Sequence, residues 1–201
     1  GCTEQTVSAA FPQLYFGDLA DALHQDKSMR HNANYNVQEA IRKIKMRQLY
    51  NGAVTLWDNE GSASWWTTIY AAHFLIEARP AGFDVDKGLL ETMLGYINGQ
   101  LRDRKTVNYY YNRDQNKKIV PKEVIYGLYV LALAGKPNIP VMNYYKANPS
   151  LLSLDCKYLL AAAYAASGDQ NSYRQFLPDR FAGQESVAQT GGSFSSDIRD
   201  E

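Results

Sequence analysis

Cysteine is almost absent from this chain, with only Cys2 and Cys156 in 201 residues. Two thiols do not make a disulfide framework, and they say little about redox compartment. A Cys2–Cys156 bridge has no support in the pattern. Histidine is nearly as scarce, at His24, His31 and His73. An excess of charge of either sign is missing too: 21 Lys and Arg balance 21 Asp and Glu. There is therefore no basic field for nucleic acid and no acidic tail. No window reaches the apolar length needed to span a membrane, so no membrane contact is expected of this domain. No signal peptide opens the chain, and there is no initiator Met. We expect a piece cut from a larger parent, with any targeting segment elsewhere. No cofactor and no metal is expected.

What is present is helical almost throughout, and we read residues 1–201 as one domain. Val7, Phe11, Leu14, Tyr15 and Leu19 fall at helical spacing, with a kink or restart expected at Ala10–Pro12. Asn32–Asn36 reads as a polar break before a helix carrying Val37, Ala40, Ile41 and Ile44. Arg42, Lys43, Lys45 and Arg47 form a basic run, read as a solvated helix face. A loop over Asn51–Ser64 contains Trp57, and Ser64 is placed to cap a helix from Trp65 to about Arg79. Asp84 is read as opening the next helix, with Leu89, Leu90, Met93, Tyr96, Ile97 and Leu101 facing inward. Thr106–Val120, with Tyr109-Tyr110-Tyr111, reads as a strand or hairpin arm and a turn. Helices resume at Pro121–Ala134, Val141–Lys146, Leu151–Ala166 and Asn171–Phe176. Cys156 lies in the third of these, where a core role fits. The tail from Ala182 is polar.

A weak repeat runs through this pattern. Ile69–Ala78, Ile125–Ala134 and Lys157–Ala166 align with Tyr and Ala in register at both ends. Each is nearly apolar all round, and each is followed by a breaker and a more amphipathic helix. Alternating buried and half-buried helices predict an all-α, α/α array of helical hairpins, either closed into a toroid or open as a solenoid.

Gly1-Cys2-Thr3-Glu4-Gln5 is the stretch with chemistry in it. Side chains three apart on a helical turn are neighbours. If Gln5 loses ammonia to the Cys2 sulfur, the product is an internal thioester, an electrophilic acyl group made from two ordinary side chains. The plainer reading is a buried or incidental thiol, since short patterns match freely. Glu4, between the pair, is a first-turn carboxylate favoured at a helix N-terminus. A part for it in moving protons while the bond forms has no support in the sequence.

Gly1-Cys2-Thr3-Glu4-Gln5-Thr6, followed by Phe11-Pro12-Gln13-Leu14-Tyr15, resembles the start of the thioester domain of bacterial alpha-2-macroglobulins, where GC-x-EQ is typical. Leu56-Trp57-Asp58 and the helix Ser64-Trp65-Trp66-Thr67-Thr68-Ile69-Tyr70 to Leu75 are similar to a later segment of that domain. Gly191-Gly192-Ser193-Phe194 is similar to a further loop. The resemblance implies an α/α toroid, incomplete here because a full domain has more hairpins. It implies that Cys2 and Gln5 are the thioester pair. It also implies a multi-domain parent that captures proteases covalently after bait cleavage, as a single-use inhibitor and not a turnover enzyme. Periplasmic or cell-envelope location follows from the same resemblance, with lipid anchoring of the parent left open.

A thioester must be kept dry until it is used. Trp65, Trp66, Tyr109, Tyr110 and Tyr111 are the candidate shielding residues; core filling is the plainer role for any one of them. In complement-type relatives a His attacks the thioester first and directs acylation to hydroxyls. The matching region here, Lys105–Pro121, contains no His. None of the three His takes that role, so direct acylation of amines is expected. Two other classes remain: a carbohydrate-active or cyclase-type enzyme on the same architecture, and an inert helical scaffold. The first would need converging carboxylates, whereas Asp84, Asp86, Glu91, Asp103 and Asp114 are scattered.

Overall fold

The computed structural model describes residues 1–16, 27–108 and 118–177. Among them the only sheet is a two-stranded hairpin, and the rest is α-helix, short 3-10 turns and connections. The all-α expectation holds. The chain divides into two compact units, Gly1–Ile97 and Asn98–Glu201.

In the first unit, α1 (Thr3–Ala10) gives way to a 3-10 turn at Phe11–Leu14, where the missing N–H of Pro12 interrupts the α-helical ladder. α1 packs against α2 (Lys27–Met46) and α3 (Trp65–Ala78), burying Val7, Ala10 and Leu14. The expected break at Asn32–Asn36 is absent, because α2 runs straight through it. Ala33, Val37, Ala40 and Ile44 keep a buried stripe at helical spacing, while Asn32, Asn34 and Asn36 lie on the exposed face. Burying each large aliphatic side chain of such a stripe is worth roughly 1.5–3 kcal/mol, which outweighs the modest helix propensity of Asn.

The connection from α2 to α3 is a packed platform. Val54 bridges both Gln48 and Ser64, and Ala53, Val54 and Thr55 are buried. Gly52 has φ +89, and a Cβ there would lie 2.1 Å from the Thr92 carbonyl oxygen, so only glycine lets the backbone come this close. Ser64 caps α3 as expected, its Oγ accepting from Thr67 N at 3.4 Å. α4 (Lys87–Gln100) begins three residues later than expected, because Asp86 and not Asp84 accepts from the first turn, from Leu89 N at 3.1 Å. Leu89, Leu90, Met93 and Ile97 are buried, and Tyr96 only half-buried.

The second unit holds the hairpin β1 (Val107–Asn108) and β2 (Lys118–Ile119), with Val107 opposite Ile119. Tyr109–Tyr111 lie outside the described residues, as do Leu19, His24, Asp114 and the tail with Gly191–Phe194. α5 (Lys122–Leu133) packs on α7 (Leu154–Ala166), and α7 on α8 (Gln170–Gln175). α6 is Ile139–Ala147. The helix expected from Leu151 starts at Leu154, after a 3-10 turn at Pro149–Leu151. Ile125, Leu128, Leu131, Leu160 and Ala163 fill the interior, with Cys156 fully buried among the residues of α7. The three aligned blocks fall on α3, α5 and α7, and each is followed by a less buried helix, as the repeat predicts. Burial pushes the hydroxyls of Tyr145 and Tyr164 up to about 12. Both stay neutral, and Tyr164 donates to Asn143 Oδ1 at 2.8 Å.

Candidate functional site

Cys2 is the N-cap of α1, in extended conformation at φ −71 and ψ 169. Its Sγ accepts from Gln5 N at 3.4 Å, and the Gln5 Oε1 accepts from Cys2 N at 3.1 Å. This is a reciprocal capping box, with sulfur where a hydroxyl usually stands. The two residues are thus folded onto each other by the same hydrogen bonds that start the helix. Cys2 is 7% exposed, whereas Gln5 is exposed. A Cβ on residue 1 would sit 3.0 Å from Gln5 Oε1 and 4.0 Å from its Cδ, so Gly1 leaves room for the carboxamide.

The chemistry this permits follows from the donors. Attack at Gln5 Cδ throws negative charge onto Oε1, which the Cys2 N–H already meets. A fixed backbone donor at that oxygen, at the positive end of a helix, stabilises the developing oxyanion.

The turn is anchored from several sides. Thr3, fully buried, donates its N–H to Leu56 O at 2.8 Å and its hydroxyl to Thr55 O at 2.7 Å. Thr6 donates to the Cys2 carbonyl through both its N–H and its hydroxyl, each at 3.0 Å. Glu4 accepts from Thr67 Oγ1 at 3.2 Å, and Ser64 Oγ donates to the same Thr67 oxygen at 2.8 Å. The first turn of α1 is therefore tied to the first turn of α3, which carries Trp65 and Trp66.

Trp65 is half-buried, and Trp66 is exposed. Trp66 stacks on Tyr70 at 6.4 Å, and the Tyr70 hydroxyl meets Ser8 Oγ at 3.2 Å. Phe11 continues the aromatic row against Tyr70, His73 and Phe74. His73 is edge-on to Phe11 and 3.8 Å from Glu77. Burial holds its pKa below the usual 6.5, with Glu77 opposing. That is a packing role.

The basic run divides. Arg42 pairs with Glu39 at 2.9 Å and Lys45 with Asp86 at 2.8 Å, both at the surface. Arg47 is not solvated: its side chain is 5% exposed and turned toward Gly1, Thr3 and Asp58. Sequence reasoning missed it, yet a signal was there. Residues 33, 37, 40, 44 and 47 step by four, three, four and three, which places Arg47 on the apolar stripe of α2. Thr3, Asp58 and Thr67 were missed as well, because nothing local marks a side chain whose partners are dozens of residues away.

Among the described residues no cluster of His, Cys, Asp or Glu has the makings of a metal site, and no helix is long and apolar enough to cross a membrane. No disulfide joins Cys2 and Cys156.

No family model matches the chain. It is 33% identical over 104 residues, 48% of its length, to alpha-2-macroglobulin of Escherichia coli K12, of which the match covers 6%. In fold it is similar to trypsin-activated alpha-2-macroglobulin from E. coli, with TM-score 0.70 at 24% identity over 88% of this chain and 12% of that one. It is similar also to Salmonella alpha-2-macroglobulin reacted with methylamine, with TM-score 0.69 at 25% identity over the same shares. The chain thus corresponds to a small part of the proteins it matches.

Proposed function

We propose that this chain, which is related in sequence and fold to the bacterial alpha-2-macroglobulins, carries the reactive thioester of a covalent protease trap. The reciprocal closure of Cys2 and Gln5 at the start of α1 carries the reading. The Cys2 S–H adds to Gln5 Cδ, the C–N bond breaks, and the proton leaves with ammonia. A lysine amine of a captured protease then attacks the acyl carbon, forms an amide and returns the Cys2 thiol. The acyl carbon is spent once, so the domain acts as an inhibitor's warhead and turns nothing over.

The helical hairpins fit an α/α toroid within a multi-domain parent of the periplasm or cell envelope. Proteases and the parent's other domains are the partners. The exposure of Gln5 in this chain means that a dry environment needs cover beyond the described residues. Trp65 and Trp66, on the first turn of α3 that Thr67 ties to Glu4, are the shielding candidates among the described residues, and Tyr109–Tyr111 remain candidates from the sequence alone. With no His in the 105–121 region, acylation is direct and favours amines over hydroxyls.

Challenging the full-length protein with trypsin and separating the products under denaturing, reducing conditions tests this. A protease adduct is expected, and it should vanish when the protein is first treated with methylamine. Methylamine and glycerol offered together should give the amide. Absence of any adduct, or capture unchanged by methylamine, contradicts the reading, and preference for glycerol contradicts its direct-attack part.

A further inference from the structure

Arg47 closes α2 with a buried guanidinium that the reactive pair by itself does not explain. Its Nη2 donates to the Gly1 carbonyl at 3.0 Å, Nη1 to Thr3 Oγ1 at 3.1 Å, and Nε to Asp58 Oδ1 at 2.6 Å. Two of these acceptors flank Cys2 in the chain. Thr3 passes the contact on to the Thr55 carbonyl, and Thr55 N returns to Arg47 O at 3.1 Å. The peptide carbonyl before Cys2 and the side chain of the residue after it are thereby tied to one rigid fork.

We propose that Arg47 is a positioning residue for the thioester, clamping Gly1 and Thr3 so that the Cys2 thiol stays over the Gln5 carboxamide. The assignment rests on the thioester reading above. Volume alone does not call for arginine here, since leucine would complete the apolar stripe of α2. A buried cation is costly unless paired, and the planar fork is what fixes several acceptors in one geometry. Asp58 supplies the countercharge from the surface, where the Arg47 hydrogen bond holds its carboxyl below the usual range. Without the clamp, the Gly1 carbonyl loses its tie to Arg47 while Thr3 stays fixed to Thr55 and Leu56, so the peptide entering Cys2 is free to swing. The thiol then loses its register for attack. A bond already formed meets water, which adds to the acyl carbon and releases the Cys2 thiol and a carboxylic acid at position 5.

The test uses full-length protein carrying Arg47→Met, Arg47→Lys or Asp58→Asn, with folding checked by thermal melts. Two quantities are read: the fraction of chains lighter by the mass of ammonia, and the rate at which thiol appears in amine-free buffer. Arg47→Met should lower the intact fraction by about tenfold or more, the scale expected when a reacting group loses its alignment. Arg47→Lys should fall between it and wild type, because one ammonium cannot span three acceptors. Asp58→Asn, which keeps an oxygen for Nε but removes the countercharge, should speed thiol release clearly while lowering the melt only slightly, since Asp58 sits at the surface. A purely structural arginine would shift the melt and leave the release rate of folded molecules untouched, which would overturn the assignment. Should Arg47→Met fail to fold, an unchanged release rate in Asp58→Asn overturns it instead. Wild-type protein with no mass deficit and no methylamine uptake removes the thioester reading and Arg47's role with it.

Discussion

The two cysteines sit at two helix starts with opposite arrangements. At α1, Cys2 is the N-cap and Gln5 stands at the third helical position. At α7, Ser153 is the N-cap and Cys156 stands at the third position, its N–H bonded to Ser153 Oγ at 3.4 Å and Asp155 Oδ1 at 2.9 Å. Both turns are capped, yet of the two only the first joins a cysteine and a glutamine in a reciprocal capping box. Cys156 is fully buried in the helical interior, whereas Cys2, 7% exposed, is hydrogen-bonded to a residue that is open to solvent. A cysteine near a helix start is thus not chemistry in itself. What faces it three residues on, and whether solvent or a partner can reach that group, decides.

Substitution at the two sulfurs should separate them most sharply. Cys2→Ala should abolish methylamine uptake and protease adducts completely. Cys156→Ala should leave both intact and cost on the order of 1 kcal/mol of stability, as small losses of buried volume do. Uptake lost in Cys156→Ala as well would break the contrast.

Gly52→Ala probes the platform beneath the Cys2 turn. The positive φ and the Thr92 oxygen 2.1 Å from the new methyl should cost on the order of 3 kcal/mol. Amide hydrogen exchange should rise in the first turn of α1 and stay unchanged in α7. Equal loss at both ends would mean the platform does not serve Cys2 in particular.

Ser153→Ala should cost less, about 1 kcal/mol or under, because Asp155 still accepts from Cys156 N. Denaturant melts should record it with no change in methylamine chemistry.

The smallest expected effect is a pH dependence near α1. His73 has a folded-state pKa below 6.5, so between the two values the unfolded chain holds a proton that the folded one does not. Its contribution is fully present above 6.5 and is lost as pH falls through the folded value. Stability should therefore drop on acidification through this window, and His73→Phe should flatten that part of the profile. A wild-type curve that rises on acidification there would contradict the placement.

Much of this was legible in the sequence because it is local. Helical spacing gave the elements, Pro12 gave the end of α1, Ser64 gave a cap, and the i, i+3 spacing put Cys2 and Gln5 on one turn, while only the family resemblance singled them out as a pair. The misreadings came where tertiary burial overrode local preference. Asn32–Asn36 looked like a break because asparagine is a weak helix former, but the apolar stripe continued beneath it. Arg47 looked solvated because its neighbours Lys43 and Lys45 are. The platform over residues 47–58 was legible only as a loop, since its hydrogen bonds reach back to Gly1 and Thr3.

Intact mass of the full-length protein before and after methylamine tests the central claim most directly. The native chain should be about 17 Da lighter than its sequence, the mass of the ammonia lost, and methylamine should be recovered as an amide on residue 5 with one new thiol at Cys2. A native chain at full sequence mass, with Cys2 already titrating as a thiol and no methylamine on residue 5, would contradict it.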